Sequence, residues 1–108
     1  MSYAVAGIEA GLRLSGRVDY SNASAAQQAG EAVLATLSAG EWRCELSALE
    51  TGSSVTAAVL MAWQRYALAH DSRLVLTQAP ERLVAILAAS NLAEVFAVEH
   101  RLEGMHAS

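Results

Sequence analysis

Near the start of the chain, apolar and polar positions alternate with a period of two. Leu12, Leu14, Gly16 and Val18 interleave with Arg13, Ser15 and Arg17, the pattern of a strand with one buried face. Tyr3 to Glu9 predicts a strand before it, and Gly11 between the two predicts the turn of a hairpin. The run "DYSNAS" is rich in cap and turn formers. The period then lengthens. From Ala23 to about Leu37 the residues Ala26, Ala29, Val33 and Leu37 fall near one face of a predicted helix, and Gly40 stands just past it as a stop.

The same alternation of periods recurs twice more. "WRCEL", Trp42 to Leu46, predicts a third strand, followed by the loop "SALETGSS". A second helix is expected from Ser54 or Val55 to about His70, with Val55, Ala58, Val59, Ala62 and Tyr66 as its apolar stripe and Gln64, Arg65 and His70 towards water. Arg73 to Thr77 predicts a fourth strand. Pro80 suits the first turn of a third helix, where its missing N–H costs nothing. That helix carries Leu83, Val84, Ile86 and Leu87 and stops near "ASN". Leu92 to Val98 predicts a short last element. The order β-β-α-β-α-β-α implies parallel pairing with right-handed crossovers and a hairpin at the edge. The expected architecture is an α/β sandwich on a small, mixed, mostly parallel sheet with three to four helices.

With 108 residues the chain has the length of one domain. That domain is expected over residues 1–98, with 99–108 as a flexible tail. The hydrophobic fraction of 54% against 17% charged residues argues for a packed core over disorder. The formal net charge is −4 and all seven basic residues are scattered arginines, so there is no basic stripe for nucleic acid or anionic lipid. The lone Cys44 excludes an internal disulfide and is expected to be a buried, inert thiol. No apolar run reaches the length of a membrane span, and the first residues lack the basic start of a signal peptide. A cytoplasmic protein that meets a membrane only through a partner is the expectation.

The stretch "LETGSSVTAAVLMAW", Leu49 to Trp63, sets small polar residues directly before an apolar helix. A phosphate-binding loop needs a second glycine and a lysine, and this chain has no lysine. A nucleophile elbow needs Gly-x-Ser-x-Gly, which "GSS" does not supply. The three histidines are dispersed, with His70 at a helix end, and with one cysteine they give no ligand spacing for a metal. Glu45 and Glu50 are expected at a strand end and in a loop. An enzyme, a cofactor or a metal is therefore not expected. Two readings of the stretch remain open on the residues alone: Ser53 or Ser54 caps the helix, or an exposed hydroxyl there meets a phosphate or a partner at the carboxyl edge of the sheet.

Three segments carry a resemblance that covers about Tyr3 to Val98. "LRLSGRVDYSNA", "CELSALETGSSVTAAVLMAWQRYA" and "RLVLTQAPERLVAILAASNLAEVF" resemble the strands, the Asp-Ser/Thr-x-Gly-Leu region and the closing helix of the STAS domain family. On that pattern Ser53 stands where the family has Asp, and Ser54 where it has the functional Ser or Thr. Val55 and Thr56 replace the usual small residue and glycine. The finer texture is similar to the MlaB branch of the family. That resemblance implies a non-catalytic cytoplasmic subunit, peripheral to the inner membrane, that binds the ATPase of an ABC transporter moving phospholipids between membranes. It implies a contact patch at Ser54 with Ser53, Thr51 and Thr56. The alternative it implies is an anti-sigma factor antagonist switched by phosphorylation of Ser54. Self-association is left open.

Overall fold

The computed structural model describes residues 3–50, 53–89 and 97–98. Its elements are β1 (Tyr3–Ile8), β2 (Gly11–Gly16), α1 (Ala23–Leu34), β3 (Glu41–Glu45), α2 (Ser54–Ala69), β4 (Arg73–Thr77), α3 (Glu81–Ala89) and β5 (Ala97–Val98). The strands form one sheet in the order β1-β2-β3-β4-β5, with β1 antiparallel to β2 and every other pair parallel. The α/β order and the mixed, mostly parallel sheet are those expected. The elements expected over Leu92 to Val98 and the tail fall outside the described residues, apart from β5.

Each crossover moves one strand further in the same direction. Right-handed crossovers therefore place all three helices on one face. Leu12 and Leu14 of β2, Trp42 and Cys44 of β3, and Leu74 and Leu76 of β4 point into that side and are buried, while Arg13, Arg43 and Arg73 alternate outward and are exposed. The core continues into the helices through Leu34, Leu60, Trp63, Ala67, Leu83 and Leu87.

The hairpin turn differs from expectation. Glu9 and Ala10 form it, with Ala10 at φ 60°, and Gly11 is the first residue of β2. Gly11 is glycine for another reason: a Cβ there would lie 1.9 Å from the Arg43 carbonyl oxygen of β3. The neighbouring strand leaves no room for any side chain.

The buried faces of the first two helices are also turned from those expected. On α1, Ala26, Gly30 and Leu34 are buried, whereas Ala29, Val33 and Leu37 are only half-buried. A Cβ on Gly30 would meet the Trp63 indole of α2 at 2.2 Å, so the helices close on that point and set the rotation. The helix ends at Leu34, well before Gly40. Its end tightens through bonds from Thr36 N–H to Val33 O (3.0 Å) and Leu37 N–H to Leu34 O (3.0 Å). On α2 the buried set is Thr56, Ala57, Val59, Leu60, Trp63, Gln64 and Ala67; Ala58 is exposed and Tyr66 half-buried. This helix sits between α1, α3 and the sheet, so its buried face is wider than one stripe.

Gln64 was expected in water and is buried. Its Oε1 accepts from Leu74 N–H at 2.9 Å, and its Nε2 donates to Leu74 O at 3.2 Å. Arg73 N–H bonds Gly40 O and Thr77 O accepts from Leu46 N–H, so alternate residues of β4 face β3 and Leu74 faces away from it. The side-chain amide supplies the bonds a neighbouring strand would make there.

Candidate functional site

Because β2, β3 and β4 are parallel, their carboxyl ends share one edge of the sheet. In open α/β folds that edge is where sites are built. Three loops leave it: Arg17 to Asn22, Leu46 to Ser53, and Gln78 to Pro80.

The first loop is held by its own side chains. Asp19 Oδ1 accepts from the Ser21 hydroxyl at 2.6 Å, from Ser21 N–H at 2.9 Å and from Asn22 N–H at 3.3 Å. Asn22 Oδ1 accepts from Asp19 N–H at 2.8 Å and its Nδ2 donates to Arg17 O at 3.1 Å. The Ser21 hydroxyl bond outweighs the opposing effect of desolvation and, with the Ser21 and Asn22 backbone amides, holds the Asp19 carboxyl below the usual carboxylate range. Asn22 stands at the cap position of α1 with its amide committed to the loop, and no side-chain cap bond forms. At the apex Tyr20 is 88% exposed.

The sign of the Asp19 shift fixes a pH dependence. Its folded-state pKa is lowered, so its stabilising contribution is present above the unfolded value and lost as the pH falls through the folded one. Asp19→Asn is expected to lower the melting temperature at neutral pH and to flatten its acid limb, with variant and parent converging as the pH falls. Thermal melts across the acid range check this; an unchanged acid limb would show that Asp19 does not contribute.

The second loop is pinned on both sides. Leu46 N–H donates to Thr77 O (3.0 Å), Gly16 N–H to Ala48 O (3.1 Å) and Glu50 N–H to Gly16 O (2.8 Å). Leu49 is buried between them. Glu45 ends β3, where Oε1 accepts from Arg13 Nε at 2.9 Å and Oε2 from Ser47 N–H at 3.2 Å. Partial burial raises its carboxyl, but the bonds from Ser47 and Arg13 outweigh that and leave it lowered. Glu50 is exposed, with Arg17 at 4.0 Å, an ion pair worth little in water.

This anchored loop delivers the start of α2. Ser53 is extended (φ −147°, ψ 171°) and is the N-cap. Its Oγ accepts from Thr56 N–H at 3.2 Å, and the two hydroxyls lie 3.2 Å apart. Thr56 is fully buried beneath the cap and offers no surface. Ser54 is the first helical residue and is exposed. With Ser53 capping, the Ser54 hydroxyl makes no hydrogen bond among the described residues and faces out beside the free N–H groups of the first turn. No acidic residue occupies that turn, so the positive end of the helix dipole is uncompensated. The structure brings Ser53, Ser54 and Thr56 together; Thr51 lies outside the described residues. Replacing Ser53 by Ala is expected to cost about 1 kcal/mol of stability, measurable by urea denaturation; no loss would mean the cap is redundant.

Other candidate groups lie elsewhere. Cys44 is buried in the core, where burial and the neighbouring Glu45 charge push its thiol far up, out of the reactive range. His70 ends α2 at the opposite edge, its Nδ1 2.7 Å from Tyr66 O and its ring stacked on Tyr66 at 4.2 Å. Two open depressions, about 420 and 490 Å³, also lie at that opposite edge around Ala10, Trp42 and Arg43, and neither borders Ser53 or Ser54. Among the described residues no three His, Cys, Asp or Glu side chains gather as metal ligands, and no helix is long and apolar enough to cross a membrane. In the sequence Asp19 and Asn22 read as turn formers, and nothing in the pattern singles out Tyr20. The Asp-x-Ser-Asn spacing was the available signal for the loop network.

A family model described as "Mlab, STAS domain" matches residues 1–100. No curated protein matches. Among solved structures, the chain is similar to the anti-sigma factor antagonist SpoIIAA in its unphosphorylated form. The TM-score is 0.69 over 96% of this chain and 93% of that chain, at 12% sequence identity. At that identity the likeness is one of fold.

Proposed function

From the premise that the chain belongs to the STAS domain family, in its MlaB branch, we propose that it is a non-catalytic subunit that docks on the ATPase of an ABC transporter for intermembrane phospholipid transport. The observation that carries this reading is the division of labour at the start of α2. Ser53 caps the Thr56 N–H, and among the described residues nothing else engages the Ser54 hydroxyl, which is left for a partner together with the first-turn amides. A partner carboxylate or hydroxyl set against that terminus gains from the free amides and the dipole. The bonds within Arg17 to Asn22 and those tying Leu46 to Glu50 to the neighbouring strands hold that backbone in place, which lowers the entropy lost on docking. The protein meets the membrane only through that partner.

Phosphoregulated anti-sigma antagonism is the second reading, favoured by the exposure of Ser54. Ser53 in place of the family's Asp weighs against it. Co-purification from the native host separates the two. The docking reading expects a transporter ATPase to be recovered with the tagged chain, in stoichiometric amount, and intact mass to show Ser54 unmodified. Recovery of a kinase instead, with one added phosphate on Ser54, would overturn it in favour of the second.

A further inference from the structure

The open edge of β1 carries an inference of its own. Alternation of backbone bonds fixes which of its groups are unpaired. Arg43 N–H donates to Ala10 O, and Gly16 exchanges bonds with Ala48 and Glu50. The even-numbered residues of β2 thus face β3, and Gly11, Arg13 and Ser15 face β1. Their partners in register are Ile8, Ala6 and Ala4. Tyr3, Val5 and Gly7 therefore turn their N–H and C=O groups to the outer side, where no described segment covers them. Such edges are ordinarily blunted by charges, proline or a bulge. Tyr-Ala-Val-Ala-Gly-Ile has none of these.

We propose that β1 pairs antiparallel with β1 of a second copy of this chain, about a two-fold axis at Val5. Only a register that keeps each side chain on its own face and matches the unpaired groups is allowed, and this one does both. Val5 faces Val5 of the other copy, Tyr3 faces Gly7, and Ala4 faces Ala6. The three facing pairs Tyr3–Gly7, Val5–Val5 and Gly7–Tyr3 form about six backbone hydrogen bonds, two to a pair.

The side chains favour a copy of the same strand over a foreign one. Gly7 is exposed on the helix face, and a Cβ there would stand 3.6 Å from Val33 Cγ1 of α1. The gap over Gly7 is bounded by an apolar wall. Tyr3, half-buried on that face, is the residue the register sets opposite the gap. An aromatic ring across an edge glycine is a recognised stabilising pair. On the outer face only alanines meet, so nothing obstructs the approach. The interface is isologous and closes at two copies. One strand pair buries less than the roughly 1,200 Å² of a standard stable interface, so the dimer dissociates on dilution.

Sedimentation of the full chain over a concentration series tests this, together with amide exchange at low and high concentration. The expected result is a reversible monomer–dimer equilibrium. Dimerisation should slow the amides of Tyr3, Val5 and Gly7, whereas those of Ala4, Ala6 and Ile8 are already slow in the monomer. Val5→Pro removes one outward donor and no bond to β2, and Ala4→Lys with Ala6→Lys sets like charges opposite each other. Each is expected to weaken the dimer at least tenfold while the Ile8 amide, bonded to β2, stays slow. A chain that stays monomeric at the highest soluble concentration would overturn the proposal. So would a dimer that survives the lysine pair, or one without the alternating protection.

Discussion

Trp63→Ala is expected to lower the unfolding free energy by about 3–5 kcal/mol, the range for truncating a large buried aromatic. Trp63 is fully buried, and its indole N–H donates to Gln27 O of α1 at 3.0 Å. Truncation leaves a cavity and removes the indole bond that ties α2 to α1. The complement of the same contact is Gly30, where a methyl would have to fit 2.2 Å from the ring. Gly30→Ala gains helix propensity of about 1 kcal/mol and is still expected to be destabilising, because overpacking costs typically 1–3 kcal/mol and here the obstacle is a rigid ring. In Trp63→Ala the obstacle is gone, so Gly30→Ala should be tolerated in that background. Urea denaturation of both single variants and the double checks this. Additive losses would mean that the two residues do not meet as the structure has them.

Gln64→Leu is expected to cost about 2–4 kcal/mol although it introduces an apolar side chain into a buried site. Leu74 loses the partner of its N–H and that of its C=O, and a buried polar group left unsatisfied costs about 1–3 kcal/mol. The leucine recovers part of this by burial. Gln64→Glu is the sharper probe. A carboxylate accepts from Leu74 N–H but has no donor for Leu74 O, so its loss should shrink as the pH falls and the carboxyl protonates. Stability within about 0.5 kcal/mol of the parent for Gln64→Leu would show that other groups or water satisfy Leu74.

Gln64 also marks where the sequence stops being legible. β4 spans the residues expected of it, and β2 and β3 differ from expectation only by a residue or two at their ends; in β2 and β3, period-two alternation against charged and polar residues leaves no other face to bury. The helices are alanine-rich, and alanine fits either side, so the pattern of apolar residues did not fix their rotation. The Trp63–Gly30 contact fixes it, and that is a pairing between residues 33 positions apart. Gln64 and Thr56 are polar residues buried because each has a specific partner, which no single-residue preference encodes. At the site, the cap and the exposed hydroxyl were both foreseen, but which serine did which depended on the backbone of Ser53. Its extended geometry makes Ser53 the cap and leaves Ser54 outside. Thr56, grouped with them by sequence proximity, is turned inwards by the helical period.

The account rests on Ser54 as a contact surface that the fold does not itself need. An exposed first-turn position tolerates most side chains, so Ser54→Arg should melt close to the parent, while its bulk holds a partner away from the helix end. Glu41→Arg, exposed at the opposite edge of the sheet, makes the same kind of change where no contact is proposed. The deciding measurement is the dissociation constant of each folded variant for the transporter ATPase at fixed salt. The expected result is a loss of at least tenfold for Ser54→Arg with Glu41→Arg within about threefold of the parent. Equal affinities for the parent and Ser54→Arg would contradict docking through the start of α2.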